Sequence, residues 1–338
     1  MYNAEKYVGK CLESLLAQTF QDFEVIIIND CSTDNSRAIA ESYLGRFGGR
    51  MKIFDNETNL EVSATRNKGL LLSCGEYVYF MDADDLLLLT GLEKLYTTAK
   101  KFDAEIVNMS GFYKMSADEK NIEVFQKIDR LFANDEDEFV VDDNLESRVK
   151  NPKPFTFRFM GTGVLRLARR DFLIKNKLFF PEKVKRCEDV VWKYGFLLSS
   201  KKIVNVRFII YFYRMSEDSK TRKKRNRFQY INSRMTTVID GIKWIDDVMN
   251  GKKFFEENPT CRYGVLQEFI TDLFGRLLPY TRNHKIPAFE VYKAVKQDFG
   301  KSLGKYDVLV AELCSLIDSQ RRELDYLHAE LKKIKPDN

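Results

Sequence analysis

Alternating helix and strand signals over the first 110 residues, acids at the ends of two strands, and a helical remainder predict an α/β protein. The expected architecture is a doubly wound, mostly parallel sheet flanked by helices, with a helical C-terminal region. The 338 residues are enough for two medium domains, and 44% hydrophobic content supports a real core. Charge is balanced, with 55 Lys and Arg against 50 Asp and Glu, and a net +5 argues against a dedicated nucleic-acid binder.

The elements follow in order. Tyr7, Val8, Cys11, Leu12, Leu15 and Leu16 recur at helical spacing. Residues 23–28 form a short apolar run that ends in Asn29-Asp30, the pattern of a buried strand. A helix is expected over 36–44, a strand over 51–54, and a helix over 62–72 with Gly75 beyond it. Tyr77-Val78-Tyr79-Phe80-Met81 is a third strand, stopped by Asp82-Ala83-Asp84-Asp85. A helix over 91–101 and a strand over 106–109 complete the rhythm. In such sheets ligands bind beyond the carboxyl ends of the strands, where Asp30 and the 82–85 acids stand. Residues 112–150 break the pattern, and the seven acids of 135–146 read as a solvated loop. Strand character returns over 202–213, and from about residue 228 the pattern is helical.

Composition narrows the chemistry. No window approaches 18 uninterrupted apolar residues, so no membrane-spanning helix is expected. The first six residues lack the apolar run of a signal peptide. The six cysteines contain no C-x-x-C pair, which fits a reducing cytoplasm and neither a zinc ribbon nor a disulfide scaffold. His284 and His328 are the only histidines, and neither lies near a nucleophile-like motif. Carboxylates two apart at a strand end, Asp82 and Asp84, can present oxygens to a hard cation such as Mn²⁺ or Mg²⁺, and that cation can neutralise a leaving diphosphate. The plain alternative is a polar turn capping the helix that starts near Thr90. A second Asp-x-Asp, Asp135-Glu136-Asp137, follows no strand and is set aside.

Four segments in order, Tyr2-Asn3-Ala4-Glu5, Ile28-Asn29-Asp30 with its polar loop, Ala64-Thr65-Arg66-Asn67 and Asp82-Ala83-Asp84-Asp85, resemble the family 2 glycosyltransferases of the GT-A fold. The resemblance is strong over about 2–110 and looser over 160–220. It implies roles by position. Tyr2 lies against the nucleotide base and Asp30 accepts from it. Arg66 contacts base or phosphates, Asp82 sits near the ribose, and Asp84 is the metal ligand, with Asp82 beside it. Cys187-Glu188-Asp189 resembles the family's Glu-Asp motif at a helix start, with Asp189 as the single general base and Glu188 its neighbour; an ordinary helix-start Asp is the plain reading. Tyr213-Arg214 resembles the strand end that follows, placing Arg214 with the donor-binding residues. The chain departs from the family pattern at Asn29, Cys31, Glu61 and Thr65, where Asp, Gly, Gly and Ala are usual.

The implied function is inverting, metal-dependent transfer of a sugar from a nucleotide diphosphate, UDP foremost, to a glycan or lipid-linked glycan hydroxyl in cell-surface polysaccharide assembly. The domains expected are 1–220, with a donor half 1–110 and an acceptor half 150–220, and a helical region 228–338. A nucleotidyltransferase would require a Gly-rich, Lys-containing signature after the first strand, which is absent. A non-catalytic scaffold on a degenerate transferase fold is the other alternative. The basic run 220–227 fits a loop closing over the donor diphosphate, a peripheral contact with anionic lipid at the inner membrane face, or a solvated surface. Apolar residues at alternating three and four spacing over 310–334 fit a coiled coil that joins two copies, or an amphipathic helix lying on its own domain. Relatives of this kind begin with a buried apolar strand leading into the Tyr-Asn motif. Met1 stands directly before Tyr2, so a truncated form lacking about 6–10 residues is expected.

Overall fold

The structure is a computed structural model describing residues 1–126, 138–150, 162–216 and 227–270. Asp135-Glu136-Asp137, the basic run up to residue 226 and the 310–334 stretch lie outside the described residues. The chain divides into two compact units, residues 1–183 with 187–224, and residues 184–186 with those from 225 onward.

The first unit is α/β. Its elements are α1 (Val8–Leu16), β1 (Val25–Asn29), α2 (Ser36–Ser42), β2 (Met51–Asp55), α3 (Glu61–Leu72), β3 (Tyr77–Tyr79), β4 (Leu86–Leu87), α4 (Gly91–Phe102) and β5 (Ile106–Met109). There follow β6 (Gly111–Ser116), β7 (Ile122–Gln126), β8 (Phe139–Asp142), α5 (Leu145–Lys150), β9 (Arg166–Arg169), α6 (Arg170–Lys175), α7 (Glu188–Leu197), β10 (Ile203–Val206) and β11 (Tyr211–Met215). The strands are shared among three sheets: β1-β2, β3-β9-β5-β10-β8 and β4-β11-β6-β7. Pairing is mixed. β1 with β2, β5 with β10 and β6 with β11 run parallel, while β9 lies antiparallel between β3 and β5. Burial on both sides explains the continuous apolar character of β5 and β10, every residue of which is buried.

Met1 runs beside β1. Its α-ammonium donates to the Ile28 carbonyl at 2.8 Å, and its carbonyl accepts from the Asp30 N–H at 2.9 Å. Burial pulls this ammonium below its ordinary pKa, against the attraction of Asp82 and Asp30. Elsewhere among the described residues β1 pairs only with β2, and β3 only with β9.

One reading of the 112–150 stretch is corrected. A β6–β7 hairpin occupies its start, and Glu119 in the turn adopts a φ of 66°. Asp142, read as part of a solvated acidic loop, is buried in β8, where Arg148 meets its two oxygens at 2.8 and 2.9 Å. Arg148 also donates to the carbonyls of Leu197 and Ser200, so the buried pair is hydrogen-bonded on both sides.

The second unit contains α8 (Arg227–Met249), α9 (Lys253–Glu257) and a helix over 259–270. Ile242, Ile245, Phe255, Phe269 and Ile270 are among its buried residues, and Arg262 pairs with Asp246 at 2.7 Å. Among the described residues, no helix is long and apolar enough to cross a membrane.

Candidate active site

At the end of β1 the chain enters a polar loop, and Asp30 is buried beneath it. Its carboxylate accepts from Asn56 Nδ2 and the Leu60 N–H, each at 2.8 Å, and from the Glu61 N–H at 3.1 Å. Those N–H groups open α3, so Asp30 acts as a helix cap supplied from another strand. Two residues here carry left-handed backbone, Cys31 with φ 60° and Glu61 with φ 65°. Both are positions where the resembled family usually has Gly, which adopts that conformation without steric cost.

The loop before α1 is clasped to the loop before α2. The N–H groups of Asn3, Ala4 and Glu5 donate to the side chains of Ser32, Ser36 and Asp34. In return the N–H groups of Thr33 and Asn35 donate to the side chains of Asn3 and Glu5. The clasp fixes the backbone around Tyr2, whose side chain remains 44% exposed.

At the end of β3 the acids are arranged differently. The Arg214 N–H and the Tyr211 hydroxyl both donate to the buried Asp85 carboxylate, and the Asp82 N–H donates to the same hydroxyl. Burial, then Asp82 and Asp84, pushes the Asp85 carboxyl well above the ordinary range. Asp84 is half-buried and receives no hydrogen bond from another residue's side chain among the described residues. Burial first, then the Asp82 charge, raises it to about 6.

Arg214 does not lie on an open donor-binding surface. Its side chain is 0% exposed and is turned into the protein. Nε donates to the Asp84 carbonyl at 2.7 Å; Nη1 donates to the Ala117 carbonyl and to Glu119 at 2.8 Å; and the guanidinium stacks 4.7 Å from the Tyr7 ring. Lys10 on α1 also meets Glu119, at 2.7 Å.

Arg66 joins the two groups of sequence-predicted acids. From the middle of α3 its Nη2 donates to Asp82 Oδ1 at 2.8 Å, and its Nη1 lies 3.5 Å from Glu188 Oε1. Its guanidinium lies 5.1 Å from the centre of the Phe180 ring, which stacks on Trp192 at 4.4 Å. Asn67 locks this platform: its side chain accepts from the Phe180 N–H and donates to the Phe180 carbonyl. A Cβ on Gly163 would come within 3.3 Å of Arg66 Nη1, so the glycine makes room for the guanidinium.

Glu188 and Asp189 form the first turn of α7, where the helix N-terminus favours negative charge. Burial, then the neighbouring Asp189 charge, raises Glu188 to about 7, although Arg66 opposes the shift. The Asp189 carboxylate accepts from the Val190 N–H at 2.8 Å.

Asp82, Arg66 and Glu188 therefore form one connected line, with Asp84 and Asp189 adjoining its two ends in sequence. In this structure Asp30 is hydrogen-bonded to the start of α3, and Arg214 to the acid turn and the β6–β7 turn. Sequence reasoning missed Asp85 and Tyr211 as supports of the acid turn and Phe180 as the ledge for Arg66. A second acid directly after Asp-x-Asp was the available signal for Asp85; nothing local marked Phe180.

Among the described residues, no group of three or more His, Cys, Asp or Glu side chains is placed to hold an ion. The residues fit a divalent cation that takes its other ligands from a substrate. Asp84 is an under-partnered carboxylate with a raised pKa, and Arg66 is the only residue among those described that bonds to the Asp82 carboxylate. One or two carboxylates plus substrate phosphates is a usual set for Mg²⁺.

The fold is that of a GT-A glycosyltransferase. The Glycosyl transferase family 2 model matches residues 1–171, just over half of the 338, and the chain belongs to that family. It is 26% identical over 222 residues to glycosyltransferase GlyG of Streptococcus pneumoniae, covering 65% of this chain and 70% of GlyG. It is 27% identical to a poly(ribitol-phosphate) beta-glucosyltransferase of Bacillus spizizenii, covering 64% of this chain and 32% of the relative. Three further bacterial relatives are matched over 59–64% of their length. Staphylococcus aureus TarS 1–349, solved with UDP-GlcNAc, shares the fold at a TM-score of 0.57 and 18% identity, over 96% of this chain and 90% of that one.

Proposed function

We propose that this glycosyltransferase is inverting and metal-dependent, and that it transfers a sugar from a nucleotide diphosphate to a hydroxyl of a cell-surface polymer. The observation that carries the reading is the Asp82–Arg66–Glu188 line, which ties the strand-end acids to the Glu-Asp helix start. Tyr2 faces the nucleotide base. Asp84 holds Mn²⁺ or Mg²⁺, with Asp82 as its neighbour. When bound, the cation neutralises the departing diphosphate. Asp189 takes the proton from the acceptor hydroxyl as that oxygen attacks the anomeric carbon on the face opposite the leaving group. Arg66 keeps its proton, because Asp82, Glu188 and Asp189 together outweigh the burial that works against it. It thereby holds positive charge between the donor and acceptor acids. A single base supports direct displacement, which inverts the sugar carbon.

UDP is the nucleotide assigned here, on the resemblance of the sequence motifs. The relative named for poly(ribitol-phosphate) supports a hydroxyl-rich phosphate polymer or a related glycan as acceptor. The test is a panel of UDP- and GDP-sugars with Mn²⁺, Mg²⁺ or EDTA, offered with teichoic-acid-type and glycan acceptors. Nucleotide diphosphate release is measured, and product configuration is read by NMR. Metal-independent turnover, or a product that retains the donor's configuration, overturns the reading.

A further inference from the structure

The turn Asp82-Ala83-Asp84-Asp85 is held at three points by a single strand. β11 runs antiparallel to β4, with Tyr211 opposite Leu87 and Phe212 opposite Leu86. That register carries Arg214 back alongside the acids. The Tyr211 hydroxyl accepts from the Asp82 N–H and donates to the Asp85 carboxylate. The Arg214 N–H donates to the same carboxylate at 2.7 Å, and Arg214 Nε donates to the Asp84 carbonyl, also at 2.7 Å. Both ends of the turn and the carbonyl of Asp84 are therefore tied, while the Asp84 carboxylate is left without a side-chain donor.

The tie continues outward. Arg214 Nη1 reaches Ala117 and Glu119 in the β6–β7 turn, Lys10 of α1 meets the same Glu119 oxygen, and Tyr7 stacks on the guanidinium. α1 follows the clasped loop that carries Tyr2. One enclosed guanidinium thus connects the acid turn, the hairpin turn and the helix behind the base-side loop. Its planar fork meets acceptors in three directions, which a lysine ammonium on a flexible stem cannot reproduce.

We infer that Tyr211 and Arg214 are positioning residues, which aim the Asp84 carboxylate by fixing the backbone of the acid turn, and that Arg214 does not touch the donor. The inference rests on the proposed role of Asp84 as metal ligand. Without the clamp the turn samples several orientations, and a cation meets the correct one only a fraction of the time. Apparent affinity falls by that fraction.

The test uses the full chain, wild type beside Tyr211→Phe and Arg214→Lys. Mn²⁺ binding in the presence of UDP is followed by electron paramagnetic resonance, and UDP binding in EDTA by calorimetry. Melting temperature is recorded for each. Tyr211→Phe removes one hydroxyl and keeps the ring, so it retains the fold where Arg214→Lys does not. The expected result is about a tenfold weaker Mn²⁺ constant, a 1.4 kcal/mol change, with UDP affinity in EDTA unchanged. Wild-type affinity for Mn²⁺ in every variant that folds overturns the clamp. Loss of UDP binding in EDTA by an Arg214→Lys protein that melts like the wild type makes Arg214 a donor ligand and overturns its positioning role. If the wild type itself binds no Mn²⁺, the metal reading of Asp84 fails first.

Discussion

Asp30 and Asp84 both follow strands of the same α/β unit, yet their surroundings are opposite. Asp30 is buried and takes three hydrogen bonds from its own chain, two of them from the N–H groups that open α3. Asp84 receives no side-chain donor among the described residues, and burial raises its carboxyl to about 6. An acid whose oxygens already face donors is part of the scaffold. An acid held half-buried without them carries an electrostatic cost that a cation removes. The contrast separates two residues that the strand-end rule alone would treat alike.

The sharpest way to break the comparison is to remove one charge at each end. Asp84→Asn is expected to lower turnover by about 10²–10³-fold, through lost stabilisation of the departing diphosphate. Its melting temperature should stay equal to or above that of the wild type, because the substitution also removes an ill-solvated charge. Asp30→Asn should instead destabilise the fold by about 1.5–3 kcal/mol, since its new NH₂ group faces donors. Steady-state kinetics and chemical denaturation on the two variants check this directly. Equal turnover loss with equal stability would show that the difference in partners does not separate their roles.

The next effect lies at the other end of the Arg66 bridge. Asp189→Asn is expected to lower kcat by about 10²-fold or more, as befits loss of a general base. Donor affinity in calorimetry should be unchanged, because the proposed role serves the acceptor. Loss of donor binding would move Asp189 to the donor side of the site.

Glu188 provides a pH test of the same bridge. Its carboxyl is raised from 4.5 to about 7 in the folded chain, chiefly by burial. The folded state therefore holds this proton more tightly than the unfolded state. The contribution to stability is fully present below pH 4.5 and is lost as pH rises through 7. Glu188→Gln should flatten the stability profile across that window by about 3 kcal/mol. Denaturation midpoints at pH 4.5, 6 and 7.5 measure it. An unchanged slope in the variant would assign the pH dependence to other groups.

Much of this was legible along the chain, and the reason is locality. A buried strand such as Val25–Asn29 announces itself by an apolar run, and the acids at its end by position. The partner of an acid does not announce itself. Arg66 read as a contact to base or phosphates, while its neighbours Asp82 and Glu188 are assembled from distant segments. Arg214 read as a donor ligand because its strand end matched, but burial and three protein acceptors could only come from packing. The β6–β7 hairpin escaped notice because Ala117-Asp118-Glu119-Lys120 contains none of the Asn-Gly or Asp-Gly signals of a tight turn. Asp142 misled for the simplest reason: a charge in an acidic stretch looks solvated until Arg148 is brought beneath it.

The smallest effect concerns the two departures from glycine that flank Asp30. Cys31 and Glu61 sit at φ 60° and 65°, where an L side chain crowds its own backbone by about 1–2 kcal/mol. Glycine removes that strain but gives back about 0.5–1 kcal/mol through the greater freedom of the unfolded chain. Each glycine variant should therefore gain about 0.5 kcal/mol from relieved backbone strain, less what the lost side chain contributes: the Glu61 N–H that bonds Asp30 is retained, and Cys31→Gly loses the thiol's hydrogen bond to the Asn56 carbonyl at 3.1 Å. A pair of melting curves, each against wild type, ranks the two. If both variants melt lower, the side chains at 31 and 61 contribute more than their backbone costs. The loop that cradles Asp30 would then be held by those side chains as well as by the Asp30 cap.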